Sequence, residues 1–179
     1  MNRASSSQTA HATLNRVPAG QCRLVSRKGV PCKRFPQLAA AIARAVPGQA
    51  VLDGEIVHLD AAGKPQFYDL MRLRTPQHFY AFDLLWQGGT DLRHRPLIER
   101  KRRLRELIPK ERASQLRYVE HVHRAGTLLY NAVCARDLEG IVAKQASGLY
   151  TPAETSWVKV KNPGYSQNEG RRELFQKAR

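Results

Sequence analysis

With 179 residues the chain is long enough to bury a core and has room for one domain and little more. Thirty Lys and Arg against fifteen Asp and Glu leave a net charge of +15, which attracts polyanions over long range and points to nucleic acid. No apolar run approaches the ~20 residues of a membrane-spanning helix, the N-terminus lacks the apolar core of a secretory signal, and Cys22, Cys32 and Cys134 form no C-x-x-C pair, which argues against a disulfide framework or zinc site. A reduced, cytoplasmic protein is expected, with its cysteines serving as small hydrophobes.

From Met1 to about Gly20 the sequence is rich in Ser, Thr and Ala, and a disordered lead is expected there. Cys22 to Arg27 alternates like a strand and closes at the Lys28-Gly29 turn. After the Phe35-Pro36 step, Leu38, Ile42 and Val46 fall at helical spacing until Pro47-Gly48 stops them. Ala50 to Val57 reads as a strand with acids in its middle, and Phe79 to Trp86 as an aromatic-rich strand ending at Gly88-Gly89. Pro96 to Ile108 predicts a basic helix, with Leu97, Leu104 and Ile108 on one face and Arg100, Lys101, Arg103 and Arg105 on the other. A short strand at Arg117–Val119, a helix from about Gly126 to Arg136, and strands at Gly140–Lys144 and Trp157–Lys161 follow before a polar tail. Few helices lie between strands as crossovers, so an α+β fold of largely antiparallel sheets with flanking helices is expected, its domain at 21–162 and its tail at 163–179.

Three strands carry charge where a purely structural strand carries none. Asp53 and Glu55 stand among apolar residues, and a buried acid is costly unless paired, hydrogen-bonded or metal-bound. Glu139 precedes Gly140-Ile141-Val142-Ala143 and then Lys144 in the same manner. Lys159 and Lys161 alternate with valines, which puts both ammonium groups on one strand face, an arrangement suited to phosphate. Plainer roles fit each motif taken alone: a turn with a solvated acid for D-G-E, an exposed or guarded edge for K-x-K, and core for Phe79, Tyr80 and Phe82.

Taken in order, S-R-K-G, L-D-G-E-I-V, F-Y-A-F-D-L-L, L-E-G-I-V-A-K and W-V-K-V-K resemble the nucleotidyltransferase domain of ATP-dependent DNA ligases, particularly bacterial repair enzymes. The resemblance runs from about Cys22 to the end and implies an ATP-grasp-like nucleotidyltransferase fold. It also implies ATP and Mg²⁺ as cofactors, nicked duplex DNA as partner, and adenylyl transfer with nick sealing in repair or recombination. By motif position it places Arg27, Glu55, Phe82 and Lys144 at the nucleotide, with Phe82 stacking on adenine and Glu55 on the ribose or a metal. Glu139 becomes a metal-associated acid, and Lys159 and Lys161 the catalytic pair on the α-phosphate. Lysines and a divalent cation aimed at that phosphorus stabilise the charge that develops as pyrophosphate departs. The basic helix around Arg100 to Arg105 is either a DNA-backbone contact or a solvated face.

The pattern breaks at one point. The family's nucleophile is the lysine of K-x-D-G-x-R, about fifteen residues before Cys22. That stretch reads Ser7-Gln8-Thr9-Ala10-His11-Ala12, the first lysine is Lys28 and the first acid Asp53, so no shift of alignment restores the motif. Ala153 stands where many ligases place an arginine, and no oligonucleotide-binding barrel follows Lys161. These features predict a domain incomplete at its N-terminus, from a shifted frame or alternative start. Such a domain is unable to adenylate itself, exposes an unpaired sheet edge and aggregates unless a partner chain completes it. A non-catalytic binder of nucleotide or nicked DNA is the alternative.

Overall fold

The computed structural model describes residues 9–14, through their backbone, and residues 20–26, 28–111, 113–151 and 157–168. These form two compact units: Met1–Glu120 with Ala146–Glu154, and His121–Gln145 with the remainder from Thr155.

The first unit is built on a mixed sheet in the order β2-β1-β3-β4-β5, with β6 also paired to β4. Its strands are β1 (Thr9–Leu14), β2 (Arg23–Ser26), β3 (Ala50–His58), β4 (Gln77–Gln87), β5 (Thr90–Asp91) and β6 (Leu116–Tyr118). All pairings are antiparallel except β4 with β6. On one side α1 (Pro36–Ala45) buries Leu38 and Ile42, four residues apart, while Pro36 opens its first turn and Arg44 lies in its last turn, where the helix dipole favours a cation. The helix α3 (Leu97–Leu107) contributes Leu104 to the same core. Leu52, Ile56, Phe79, Ala81, Leu84 and Leu116 supply the sheet's share of it.

The second unit is smaller. Its helix α4 (Gly126–Ala135) fully buries no side chain, and β7 (Gly140–Ala143) and β8 (Val158–Lys161) form an antiparallel two-stranded sheet. A single 3-10 turn at Ser166–Asn168 follows.

Several expectations change. Thr9–Leu14, inside the stretch expected to be disordered, forms β1 between β2 and β3. T-A-H-A-T-L does alternate, but its apolar positions are only Ala10, Ala12 and Leu14, a weak signal within a Ser/Thr/Ala-rich stretch, and the strand is held by ladders with two neighbours. The unpaired edge expected from a missing strand, and the aggregation argued from it, therefore lose their basis. Also unforeseen are β5 and α2 (Phe67–Met71), both too short to show a period, although Phe67 and Leu70 are buried. The basic helix and the two long strands lie within a residue or two of their predicted bounds.

Candidate functional site

In the first unit, Glu55 lies on β3 and Phe82 on β4, both half-buried. The β3–β4 register slips between Asp53 and Gly54: Asp53 faces Asp83 and Gly54 faces Ala81, so Phe82 is the extra residue of a bulge. Bulges turn a side chain out of the regular alternation, and this one falls on the aromatic of the motif. Glu55 pairs in register with Tyr80, and Tyr80 with Arg117, a polar row across β3, β4 and β6. Arg27 lies outside the described residues.

The two buried aspartates are held differently. Asp53, 2 % exposed, accepts a hydrogen bond from the Tyr150 hydroxyl at 3.3 Å. Asp83, fully buried, receives Arg100 Nε at 2.8 Å and Nη2 at 2.9 Å in a two-pronged ion pair. Arg100 also donates through Nη1 to the carbonyls of Arg95 and Gly148 and lies 5.9 Å from the centre of the Tyr150 ring. The backbone bonds Leu97 N–H to Gly148 O, Ile98 N–H to Ala146 O and Tyr150 N–H to Arg93 O dock residues 146–150 onto the same helix start.

This corrects the reading of the basic helix. Arg100 is 1 % exposed and Lys101 7 %, so neither belongs to a solvent face. The remaining α3 arginines sit beside acids: Arg102 with Glu106 at 2.7 Å, Arg103 with Glu99 at 3.6 Å, and Arg105 with Glu120 at 3.4 Å. One clue lay in the chain itself, an aspartate in an otherwise apolar strand, since a buried carboxylate demands a cationic partner. Which cation answers is a matter of tertiary structure.

Lys101 donates to Val119 O at 2.9 Å and lies 4.5 Å from the centre of the Tyr118 ring. Burial pulls its pKa down to about 8, against the opposing pull of Asp83 and Glu120. Between pH 8 and the ordinary lysine value of 10.5 the unfolded chain holds a proton that the folded one has released, so stability rises with pH across that window. Measured against Lys101→Met in denaturant titrations, the unmodified protein should gain stability from pH 8 to 10 and run parallel to the variant below pH 8. Parallel curves throughout would contradict the buried-ammonium account.

In the second unit, Lys159 Nζ meets Glu139 Oε1 at 2.8 Å, with side chains 32 % and 27 % exposed. The strand register puts Lys159 opposite Val142 and Lys161 opposite Gly140. Gly140 has φ 145, in the region that favours glycine, and a Cβ there would strike the Val160 carbonyl oxygen. Glu139 O accepts from Asn162 N–H at 2.8 Å, and Asn162 Nδ2 donates to Leu138 O at 3.0 Å, which fixes the strand ends around the ion pair. Lys144 Nζ sits 3.5 Å from the centre of the Trp157 ring.

Among the described residues no group of three or more His, Cys, Asp or Glu could hold a metal ion. The acids present suit Mg²⁺ only in its usual mode, one or two carboxylates with water and substrate phosphates completing the shell. The three cysteines are free, and burial pushes the Cys22 thiol up to about 12, as fits a small hydrophobe. Among the described residues no helix is long and apolar enough to cross a membrane.

Residues 12–161 match the family described as ATP dependent DNA ligase domain. The multifunctional non-homologous end joining protein LigD of Pseudomonas aeruginosa is 32% identical over 155 residues, 83% of this chain and 18% of that protein. DNA ligase C1 of Mycolicibacterium smegmatis is 29% identical over 156 residues, 78% of this chain and 45% of that protein. Among solved structures, a mycobacterial DNA ligase D complexed with ATP and MES superposes with a TM-score of 0.71 at 30% identity, covering 86% of this chain and 50% of that one. This chain thus spans half or less of the length of these relatives. Its mixed helices and antiparallel strands have the ligase nucleotidyltransferase fold, and the chain belongs to the ATP-dependent DNA ligase domain family.

Proposed function

We propose that this ligase domain binds ATP with Mg²⁺ and engages nicked DNA for repair, but that these 179 residues do not adenylate themselves. Support for the nucleotide comes from the in-order motifs on the family fold and from a relative whose structure holds ATP. The single observation behind the missing covalent step is the absence of any lysine before Lys28, which leaves no K-x-D-G-x-R. Without that amine no phosphoramide to AMP forms, and the bound nucleotide remains exchangeable.

In this reading the motif assignments are, in the first unit, Glu55 and Phe82 to the nucleoside and Arg27 to its phosphate, and in the second unit Lys144 to the nucleotide and Lys159 and Lys161 to the α-phosphate. Glu55 in the first unit and Glu139 in the second are each assigned by motif to Mg²⁺, which would neutralise phosphate charge when bound. The Glu139–Lys159 pair suits this exchange of partners. Half-solvated pairs contribute only about 0–1 kcal/mol, so an arriving phosphate and cation separate the two at little cost. Retention of labelled ATP by the native protein in Mg²⁺ tests the assignment. Lys159→Ala should weaken retention at least tenfold, and equal retention by the variant would remove Lys159 from the phosphate.

A second reading, a binder of nucleotide or nicked DNA with no catalytic part, is favoured by the same missing lysine. The two separate when a ligase fragment supplying K-x-D-G-x-R in trans is added. Restored nick sealing supports the ligase reading, and binding without sealing supports the other.

A further inference from the structure

The excess of positive charge is not concentrated where the sequence suggested. On α3 every exposed arginine has an acid beside it, so that helix offers little net charge to a polyanion. The β2–α1 connection and the segment around α2 differ. Residues 28–34 read Lys-Gly-Val-Pro-Cys-Lys-Arg, residues 68–74 read Tyr-Asp-Leu-Met-Arg-Leu-Arg, and their five basic residues, Lys28, Lys33, Arg34, Arg72 and Arg74, are all exposed.

The two segments lie together. Arg34 Nη2 donates to Met71 O at 3.0 Å, and the flanking Phe35 and Leu70 share the hydrophobic core. Asp69 is the one acid in these two stretches and pairs with Arg74 at 3.2 Å, which leaves a charge of 5 − 1 = +4. Lys28, Lys33 and Arg72 form no ion pair with an acid among the described residues.

The backbone under these cations is fixed. Gly29, at φ 75, donates to Ser26 O at 2.8 Å, and Ser26 N–H donates to Val30 O at 2.8 Å. Leu73, at φ 60, donates to Leu70 O at 3.0 Å, and Gln77 Nε2 binds the carbonyls of Leu73 and Arg74 at 3.0 and 2.8 Å. Cations on pinned loops lose little backbone freedom on binding, the condition under which counterion release from a nucleic acid translates into affinity.

We propose that Lys28, Lys33, Arg34, Arg72 and Arg74 form a contact surface for the phosphate backbone of duplex DNA. The proposal rests on the ligase reading above for the identity of the polyanion and goes beyond it in locating the surface away from α3.

The test is binding of the full 179-residue protein to a nicked duplex over a range of salt concentrations. Lys33→Ala with Arg72→Ala removes two cations that make no ion pair among the described residues, and Arg102→Ala with Arg105→Ala removes two from α3. The first double variant should lower the slope of log K against log salt by about two, roughly one per cation, while the second leaves it unchanged. An unaltered slope in the first, or a larger fall in the second, overturns the proposed surface. A protein that binds no DNA in any salt overturns the ligase reading itself. Binding to anionic vesicles but not DNA, with the same loss of slope, reassigns the surface to lipid headgroups and also overturns the proposal.

Discussion

Replacing Arg100 with Met is expected to lower the folding free energy by about 3–5 kcal/mol, the usual cost of removing one member of a buried ion pair. Asp83 is fully buried, and without the guanidinium its carboxylate keeps the hydrogen bond it accepts from the Leu84 N–H at 2.9 Å but loses its cation. The Arg95 and Gly148 carbonyls lose a donor as well, and the docked 146–150 segment loses one of its ties. Much of the loss reflects the stranded charge, not the worth of the pair. Asp83→Leu combined with Arg100→Met should therefore be distinctly less destabilised than the sum of the two single changes. Denaturant midpoints of the three variants measure this. A loss below about 1 kcal/mol in Arg100→Met would mean that the pair is not buried as described.

The second large effect is expected at Gly54, between the two acids of the D-G-E motif. A Cβ there would lie 2.5 Å from the Phe79 ring and 2.6 Å from the Tyr80 carbonyl oxygen, and the second obstacle is backbone that cannot rotate away. Gly54→Ala should cost roughly 1–3 kcal/mol or more, in the range of overpacked cores, and should disturb the register that sets Phe82 in its bulge. Gly126→Ala is the natural comparison. Gly126 opens α4 with nothing within 4 Å of its added Cβ, so that change should be neutral or stabilising by up to about 1 kcal/mol. Equal thermal unfolding midpoints for the two variants would contradict the close approach.

These two sites show what was legible in the sequence. The helix at Pro36–Ala45 and the strands at Ala50–His58 and Gln77–Gln87 announced themselves through Pro and Gly punctuation and apolar period. The D-G-E motif left a choice between solvated turn and strand, because only the neighbouring Phe79 explains why a glycine occupies a mid-strand position. β1 left only a faint mark, an alternation carried by Ala10, Ala12 and Leu14 within a Ser/Thr/Ala-rich lead, and its place is set by the strands on either side.

The charged helix was misread for a related reason. Amphipathic spacing correctly chose the face of Leu97 and Leu104, but Arg100 answers an aspartate seventeen residues earlier, a pairing no local pattern encodes. In the same way the motif order suggested chemistry for Glu139 and Lys159, while their contact at 2.8 Å across twenty residues emerges only from the β7–β8 register.

The central claim, a ligase domain that binds its nucleotide without the covalent step, is tested most directly by following α-labelled ATP through denaturation. The protein is incubated with the nucleotide and Mg²⁺, and the label is measured on the native chain and again after unfolding in detergent. The label should be held by the native protein and lost completely on unfolding, because no lysine precedes Lys28 to keep it. Label that survives unfolding as a protein–AMP adduct, or native protein that holds none, would contradict the account.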